Sequence, residues 1–384
     1  MHYIDFKIKI LTPLYMFGAD PKWLELRESS FKGMIRFWWR AVKCCDDYQK
    51  LKKIEESLFG GVSNDGNKSK VHVLITSQKT HVSNNLEGDY SLEWDYKSNQ
   101  KRTTGKHSGV NYLLYSMLQK SFKKKIYPKN YFKPGGTFNI SFYSRDKGED
   151  RDKAEEALKN AVAAFWCAIY LGGFGSRSRR GAGSLAVEEV KGDTYGIDFI
   201  AENCKNREEL IQWIERNIKR ISEIIKPIDK NCRGYSNISN GTFIISEKGY
   251  STWYDALAAV GNQYAEFRCN NRSYIQSGVF GLPIMHLSDS TKVEARINRE
   301  FVSRRASPLT FKILQAKDGY YWMALKFAGD FLPRNAELIW YKQDKKTRKK
   351  EIKEIKEAIT SLGFLNGFWK ELKTDNGGEH KFSL

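Results

Sequence analysis

The hydrophobic pattern of the chain begins with a period of two. Residues 3–10 read YIDFKIKI, in which apolar and charged side chains alternate, as expected for a half-buried strand whose successive side chains point to opposite faces. From about residue 29 to residue 44 the spacing becomes helical, and Ser29 or Ser30 can cap the start of that helix. Similar patterns predict strands at 71–76, 137–143 and 184–190 and a second helix at 152–171.

The order of these elements is strand, helix, strand, strand, helix, strand. It predicts two helices against one face of a four-stranded antiparallel sheet, the ferredoxin-like arrangement that the RNA-recognition motif also uses. A second set follows, with strands at 242–246, 311–316 and 320–327, a helix at 252–268 and a charged helix at about 345–360. We therefore predict an α+β protein with two ferredoxin-like (βαββαβ) domains.

The predicted N-terminal domain covers 1–195, and a connecting helix region covers 196–230. The C-terminal domain covers 231–384 and ends in a helix. An insertion at about 78–136 separates the second and third strands and is too long for a hairpin loop. From 96 to 145 the sequence has 11 lysines and arginines, ten phenylalanines and tyrosines and no acidic residue. RNA contact is predicted there on charge and aromatic content alone, with Lys123, Lys124 and Lys125 as the densest cluster.

The composition indicates a polyanionic partner. The 64 lysines and arginines outnumber the 45 acidic residues, so the formal net charge is +19. The alternative is a basic surface without a specialised role. The six cysteines form no CxxC pair and no metal-ligand spacing, so neither a metal nor a cofactor is predicted. The charged N-terminus and the short apolar run at 161–171 predict a cytoplasmic protein that does not enter a membrane.

The first predicted helix carries a basic and aromatic face. Lys32, Arg36 and either Trp39 or Arg40 recur at helical spacing opposite the apolar stripe. No acidic residue occurs from 29 to 45, so the helix itself offers these cations no partner. Phosphate contact is the functional interpretation, and an ordinary solvated face is the alternative.

A glycine-rich loop with three arginines lies between the second predicted helix and the fourth strand. Residues 172–183 read GGFGSRSRRGAG; glycine lets backbone amides approach a phosphate, and arginine binds it through two parallel hydrogen bonds. A dinucleotide-binding fingerprint does not fit, because the loop follows a helix and Ser178 stands in place of the third glycine. The alternative is a glycine turn with exposed arginines. The predicted RNA contacts are Gly173, Gly175, Arg177, Arg179, Arg180, Gly181 and Gly183.

Three stretches give the chain a resemblance to a known family. They are LTPLYMFGAD with ELRESSFKGMIRFWWRA, the loop LGGFGSRSRRGAG, and, in the second half, GLPI, RRASPLTFKI and FLPR. In combination they resemble the RAMP superfamily of CRISPR proteins and, within it, subunit one of the Cmr (type III-B) effector complex.

The resemblance implies two ferredoxin-like domains in a multisubunit ribonucleoprotein. It implies contact with other Cmr subunits, with the 3′ region of the guide RNA and with the target RNA paired to it, whereas target cleavage belongs to other subunits of that complex. The residues to which it points are Lys32, Arg36, Arg40, Arg177, Arg179, Arg180 and, less directly, Arg296, Arg304 and Arg305.

Two alternatives remain open beside a noncatalytic RNA-binding subunit. One is a metal-independent RNA-processing endonuclease of the same superfamily, which uses a histidine as general acid or base. None of the six histidines lies in a recognisable constellation, and His107 in the basic insertion is the least implausible candidate. The other is a protein scaffold whose charge contacts acidic neighbours. No catalytic residue is predicted.

Overall fold

The computed structural model describes most of the chain. The described ranges are 2–20, 22–61, 68–97, 102–120, 126–144, 151–271, 273–286, 291–302, 304–333, 335–343, 350–357 and 362–384. In the first part of the chain the elements are β1 (His2–Ile10), α1 (Glu28–Lys43), α2 (Tyr48–Phe59), β2 (Val71–Lys79), β3 (Val82–Ser83), α3 (Leu86–Asp89), β4 (Asp95–Lys97), β5 (Arg102–Thr104), α4 (Ser108–Leu118), β6 (Tyr131–Phe132), β7 (Thr137–Ser144), α5 (Arg151–Tyr170), β8 (Leu185–Gly192) and α6 (Arg207–Ile225).

The second part contributes two more sheets and two more α-helices. Its elements are β9 (Asn237–Ile245), α7 (Trp253–Asn270), β10 (Ile284–His286), β11 (Thr291–Ile297), β12 (Glu300–Val302), β13 (Leu309–Ala316), β14 (Gly319–Ala328), β15 (Glu337–Gln343), β16 (Lys350–Glu357), α8 (Leu362–Asp375) and β17 (His380–Lys381). Short 3₁₀ turns lie at Ala201–Asn203 and Gln276–Phe280.

The first sheet has the order β2-β7-β1-β8, with every neighbouring pair antiparallel. The alternating pattern of β1 puts Ile4, Phe6, Ile8 and Ile10 into the core at 0–1% exposure, where α1 and α5 cover them. The predicted order of strands and helices in this part of the chain agrees with the structure. α5 is buried on nearly all sides because α6 covers it, with Trp166 and Trp213 in contact at a ring distance of 5.1 Å.

The second four-stranded sheet repeats this order of elements, as β13-β14-β9-β17. Its two faces belong to different cores, since side chains alternate along each strand. Phe243 and Met323 join the core of the first sheet. Ile244 and Trp322 join the core formed with α7 and α8. The second sheet therefore forms a layer between the two sets of helices.

The third sheet has the order β10-β11-β15-β16, and β12 pairs with β11 beside this path. The pairing of β16 with β15 corrects the prediction of a charged helix near the C-terminus. The predicted charged helix at 345–360 is wrong where the structure describes it, since Lys350–Glu357 is a strand. The sequence KEIKEIKE has a period of three that suits a helix. In the strand, a register irregularity opposite Trp340 and Tyr341 accommodates that period. The C-terminal helix lies further on, as α8.

The predicted insertion packs against the second part of the chain. Its helix α4 crosses α7 so closely that a Cβ on Gly109 or on Gly261 would overlap the backbone of the other helix. The insertion thus contains a helix, α4, that connects the two parts of the chain. Among the described residues, every helix is too short or too polar to cross a membrane.

Candidate nucleic-acid interface

The glycines of the loop are required by space as well as by backbone conformation. Gly175 and Gly183 have φ angles of +75° and +60°, which favour glycine. A Cβ on Gly175 would collide with the carbonyl of Tyr15, and one on Gly183 would collide with the carbonyl of Phe174. Gly181, with φ +85°, leaves no room because Leu257 lies against it. These glycines hold the loop in a close-packed position between α5 and β8.

The segment after β1 fixes the loop through hydrogen bonds. The buried Thr12 hydroxyl donates to the Gly181 carbonyl at 2.7 Å and accepts from the Ser184 amide at 2.9 Å. The Gly183 amide donates to the Pro13 carbonyl, and the Ser176 amide donates to the Tyr15 carbonyl. The LTP motif is therefore the support of the glycine-rich loop, a role that the sequence did not indicate.

Two of the loop arginines reach into the second part of the chain. The Arg179 guanidinium donates to the Ser307 carbonyl and lies against Phe37 and Phe327, 5.6 and 5.0 Å from their ring centres. Arg180 donates to the Phe280 carbonyl at 2.8 Å and lies 5.2 Å from the centre of the Tyr264 ring. The interpretation of a turn with freely exposed arginines is wrong, because both side chains are half-buried.

Arg177 connects the loop to the insertion. Its φ of +62° is unusual for a residue other than glycine. The Arg177 Nε donates to the Ser116 hydroxyl of α4 at 2.8 Å. The loop therefore contacts the N-terminal segment, the insertion and the second sheet at once.

Two further arginines complete this cluster. Arg268 on α7 lies over the rings of Tyr112 and Tyr264 at 6.0 and 5.6 Å. Arg305 donates to the carbonyls of Phe331 and Asp330. We call the five side chains the junction arginines: Arg177, Arg179, Arg180, Arg268 and Arg305.

The junction arginines have hydrogen-bond acceptors but lack opposite charge. Among the described residues, no carboxylate lies within ion-pair distance of them, and the charged groups that act on the pKa of Arg179 are Arg180 and Arg305. Burial first, and then these two cations, lower the pKa of Arg179 to about 10, so it remains protonated at neutral pH. Carbonyl dipoles offset this repulsion only in part, and a bound anion would relieve it.

The two arginines on the basic face of α1 share one carboxylate from the next helix. Glu55 on α2, itself 5% exposed, accepts from Arg36 Nε at 2.5 Å and from Arg40 Nη1 at 2.6 Å. The helix itself offers these cations no partner, as its sequence indicates, and the partner comes from α2. Lys32 is exposed, and the part of the chain that the structure describes places no carboxylate within ion-pair distance of it.

Trp39 does not belong to the basic face. Its ring is fully buried, and its Nε1 donates to Asn160 Oδ1 at 2.8 Å. The placement of Trp39 on the surface is wrong, because α1 is covered on that side by α5. Trp39 orients α1 rather than presenting a ring to a ligand.

The remaining predicted contacts fall in different places. Arg304 is exposed next to Arg305, close to the junction. Arg296 lies on β11 in the third sheet, where it donates twice to Glu337 Oε2 at 2.8 and 2.9 Å. That pairing corrects its assignment to the same site. Lys123, Lys124 and Lys125 lie outside the described residues.

Exposed aromatic rings accompany the loop. Tyr115, 45% exposed, precedes Ser116 on α4, and Trp23, 72% exposed, lies between the residues that support the loop and the start of α1. Such rings can stack on unpaired bases. Sequence reasoning missed both, and it also missed Arg268, although Arg268 stands one helical turn after Tyr264.

His107, the residue considered for acid–base catalysis, has a structural position. It is 3% exposed; its Nδ1 accepts from the Glu93 amide at 3.0 Å, and its Nε2 lies 3.3 Å from Asp255 Oδ1 on α7. The ring therefore joins the insertion to α7. No group of three metal-ligating side chains occurs within the described ranges.

Comparison with known proteins identifies the family of the chain. A family profile described as the RAMP superfamily matches residues 7–186. The CRISPR system Cmr subunit Cmr1-2 of Pyrococcus furiosus is 33% identical over 200 residues, which cover 50% of this chain and 98% of that protein.

Two solved structures have a similar fold. The crystal structure of apo Cmr1 from Pyrococcus furiosus aligns with a TM-score of 0.60 and 20% identity, over 96% of this chain and 97% of that one. A chain in the cryo-EM structure of the type III-B Cmr-beta bound to cognate target RNA and AMPPnP aligns with a TM-score of 0.54 and 14% identity, over 97% and 99%. The 33% identity to Cmr1-2 extends over almost the whole of that protein, and it shows the relationship: the chain belongs to the RAMP superfamily and, within it, to the Cmr1 subunits of type III-B CRISPR systems.

Proposed function

We propose that this chain is a noncatalytic RNA-binding subunit of a type III-B effector complex. It contacts the 3′ region of the guide RNA, the target RNA paired to it, or both, in the cytoplasm and together with other Cmr subunits. Its two four-stranded units act as ferredoxin-like domains, divided near 1–195 and 231–384 by the α6 region. The observation that carries the proposal is the cluster of junction arginines, for which the described residues supply no carboxylate partner.

A phosphodiester chain fits the chemistry of this cluster. It supplies the negative charge that the described surroundings lack, and arginine binds phosphate oxygens in a forked geometry. The exposed Lys32 and Arg304 extend the positive charge beyond the half-buried junction, and Trp23 and Tyr115 offer stacking surfaces. Phosphate contacts and stacking carry little base information, so weak sequence preference follows.

The similar fold in the Cmr-beta structure, whose complex is bound to cognate target RNA, is consistent with this proposal. That likeness concerns the fold alone, since the two chains share 14% of their residues. The RNA contact of this chain is therefore argued from its own charges.

A salt titration of RNA binding by the full chain tests the proposal. Each neutralised phosphate of a single strand contributes about −0.7 to the slope of log K against log salt. Lys32→Ala and Arg304→Ala each remove an exposed cation, so each should lower the slope by about 0.7 and weaken binding equally for unrelated sequences.

Lys219→Ala is the matched control, because Lys219 is an exposed lysine on α6. Its slope should equal that of the unmodified chain. A flat slope for the unmodified chain would reject RNA binding and favour the scaffold alternative. A slope that Lys32 and Arg304 do not affect would move the site elsewhere.

The junction arginines need a conservative substitution, because they also hold carbonyls of the second part of the chain. Arg180→Lys keeps the charge but removes the fork that reaches Phe280 and Tyr264. We expect weaker RNA binding with an unchanged salt slope. The unfolding midpoint of the variant, measured beside it, separates a lost contact from a loosened junction.

The endonuclease alternative has its own experiment. Labelled RNA incubated with the protein in chelator should remain intact. Product that forms there and is lost in His107→Ala, while the unfolding midpoint stays constant, would instead establish metal-independent cleavage. The engaged ring nitrogens of His107 argue for the first outcome.

A further inference from the structure

β16 stands at the edge of the third sheet. One side of the strand pairs with β15 from Glu337 to Gln343. On its other side, no strand within the described ranges pairs with it. Most of its side chains are exposed, including two large apolar ones, Ile352 at 48% and Ile355 at 43%. An open edge of this length is a template for a further strand.

The sequence of β16 is complementary to itself in the antiparallel direction. It reads KEIKEIKE, so a second copy centred between Lys353 and Glu354 sets every lysine opposite a glutamate and each Ile352 opposite Ile355. Because the sequence repeats every three residues, a second copy shifted by three residues also sets lysine opposite glutamate and isoleucine opposite isoleucine, but over fewer pairs. We propose that β16 pairs with the β16 of a second copy of this chain, which joins the two third sheets into one antiparallel sheet about a two-fold axis.

The faces of the sheet agree with this register. Ile352 lies opposite Tyr341 and Ile355 lies opposite Ile339, and these two partners are two residues apart on β15. Both isoleucines therefore point to the same face despite their spacing of three, because the bulge at Lys353 restores the phase. Directly opposed residues of antiparallel strands share a face, so the pairing covers the isoleucines of both copies.

Further charge pairs lie on the other face. Glu351 is opposite Lys342 and Lys356 is opposite Leu338. These partners are four residues apart on β15, so Glu351 and Lys356 point to the same face, opposite to that of the isoleucines. The dimer places Glu351 against Lys356 of the second copy, twice about the axis. Each of these pairs competes with a contact inside the chain. Glu351 pairs with Lys353 and Lys356 with Glu354, and Lys350 is held by Glu294 at 3.4 Å and by the rings of Phe301 and Tyr341.

Sedimentation of the full chain across a range of concentrations tests the proposal. The unmodified chain should form a dimer. Glu351→Lys sets lysine against lysine in its own dimer, and Lys356→Glu sets glutamate against glutamate, so each variant alone should dimerise at least tenfold more weakly. An equimolar mixture of the two variants should regain dimerisation, because the mixed dimer contains only opposite charges at both positions.

Lys370→Glu on α8 is the control for Lys356→Glu, because it makes the same change of charge at an exposed position away from β16. It should leave the dimer unaffected. A chain that sediments as a monomer up to about 100 µM overturns the proposal. So does a dimer that neither single variant weakens, or a mixture that fails to recover, since the contact then lies on another surface or in another register. RNA binding enters none of these measurements, so this proposal stands or falls independently of the proposed function.

Discussion

Replacement of Glu55 by alanine tests how far the basic face of α1 is neutralised. The carboxylate accepts charge-assisted hydrogen bonds from Arg36 at 2.5 Å and from Arg40 at 2.6 Å. Its removal leaves two guanidinium groups close together with no other carboxylate from the described residues, while Arg36 keeps its bond to the Gly60 carbonyl. We expect both a loss of stability and a gain of positive charge at the surface.

The size of the stability loss follows from burial. Removal of one partner from a fully buried ion pair costs about 3–5 kcal/mol. Here the carboxylate side chain is 6% exposed, whereas the two arginines are 34% and 36% exposed. Water therefore screens the released cations, and we expect a loss of about 3 kcal/mol in the free energy of unfolding.

Chemical denaturation of Glu55→Ala measures this loss, and Glu56→Ala on the same helix is the control. Glu56 is half-buried and takes no part in the pair, so its replacement should cost well under 1 kcal/mol. If α1 contacts RNA, the freed arginines should also steepen the salt dependence of RNA binding. A loss below about 1 kcal/mol for Glu55→Ala would refute the claim that this pairing fixes α1 to α2.

Three further substitutions probe the layers around the candidate site. Lys312 on β13 is buried at 1% exposure, its Nζ donates to the Leu185 carbonyl at 3.5 Å, and burial lowers its pKa well below 10.5; Lys312→Met should therefore stabilise the fold by about 2 kcal/mol at neutral pH. The unfolded chain binds the proton of Lys312 more tightly than the folded chain does. The stability gained by Lys312→Met should therefore shrink as pH rises towards 10.5 and vanish above it. A stability difference that does not change with pH would contradict this expectation. Gly261→Ala should push α7 away from α4, at a cost of about 1–3 kcal/mol, and limited proteolysis should then cut the insertion faster than in Gly363→Ala, where a Cβ meets open space. Thr12→Val removes the hydroxyl that joins Gly181 to Ser184 and should cost about 1–3 kcal/mol, with faster hydrogen exchange in the glycine-rich loop as the readout; unchanged exchange would show that the loop is held by its glycines alone.

The junction arginines have two roles that act together. Their hydrogen bonds to Ser307, Phe280 and Phe331 carbonyls fix the second part of the chain against the glycine-rich loop. Their uncompensated charge at the same time favours an anion. A ligand bound there would therefore also stabilise the arrangement of the two parts, by the general coupling of binding to folding stability.

The sequence by itself determined the elements whose signals are local. The alternation in β1, the helical spacing in α1 and α7 and the helix of the connecting region depend on residues close together along the chain, and the structure has these elements where the patterns predict them. Motifs spread over both parts of the chain also sufficed to indicate the family. The strands and helices can be predicted locally because burial of one face requires apolar residues with a period of two in strands and 3.6 in helices.

Only the tertiary structure decided which side chains remain available to a ligand. Glu55 reaches Arg36 and Arg40 from another helix, Ser307 reaches Arg179 across 128 positions, and α5 buries Trp39. The repeat KEIKEIKE fits a helix and a bulged strand equally well in local terms, and the pairing with β15 selected the strand. The physical reason is the same in each case. Charge compensation and strand pairing depend on distances in space between residues far apart in sequence, and only the packed chain brings such residues together.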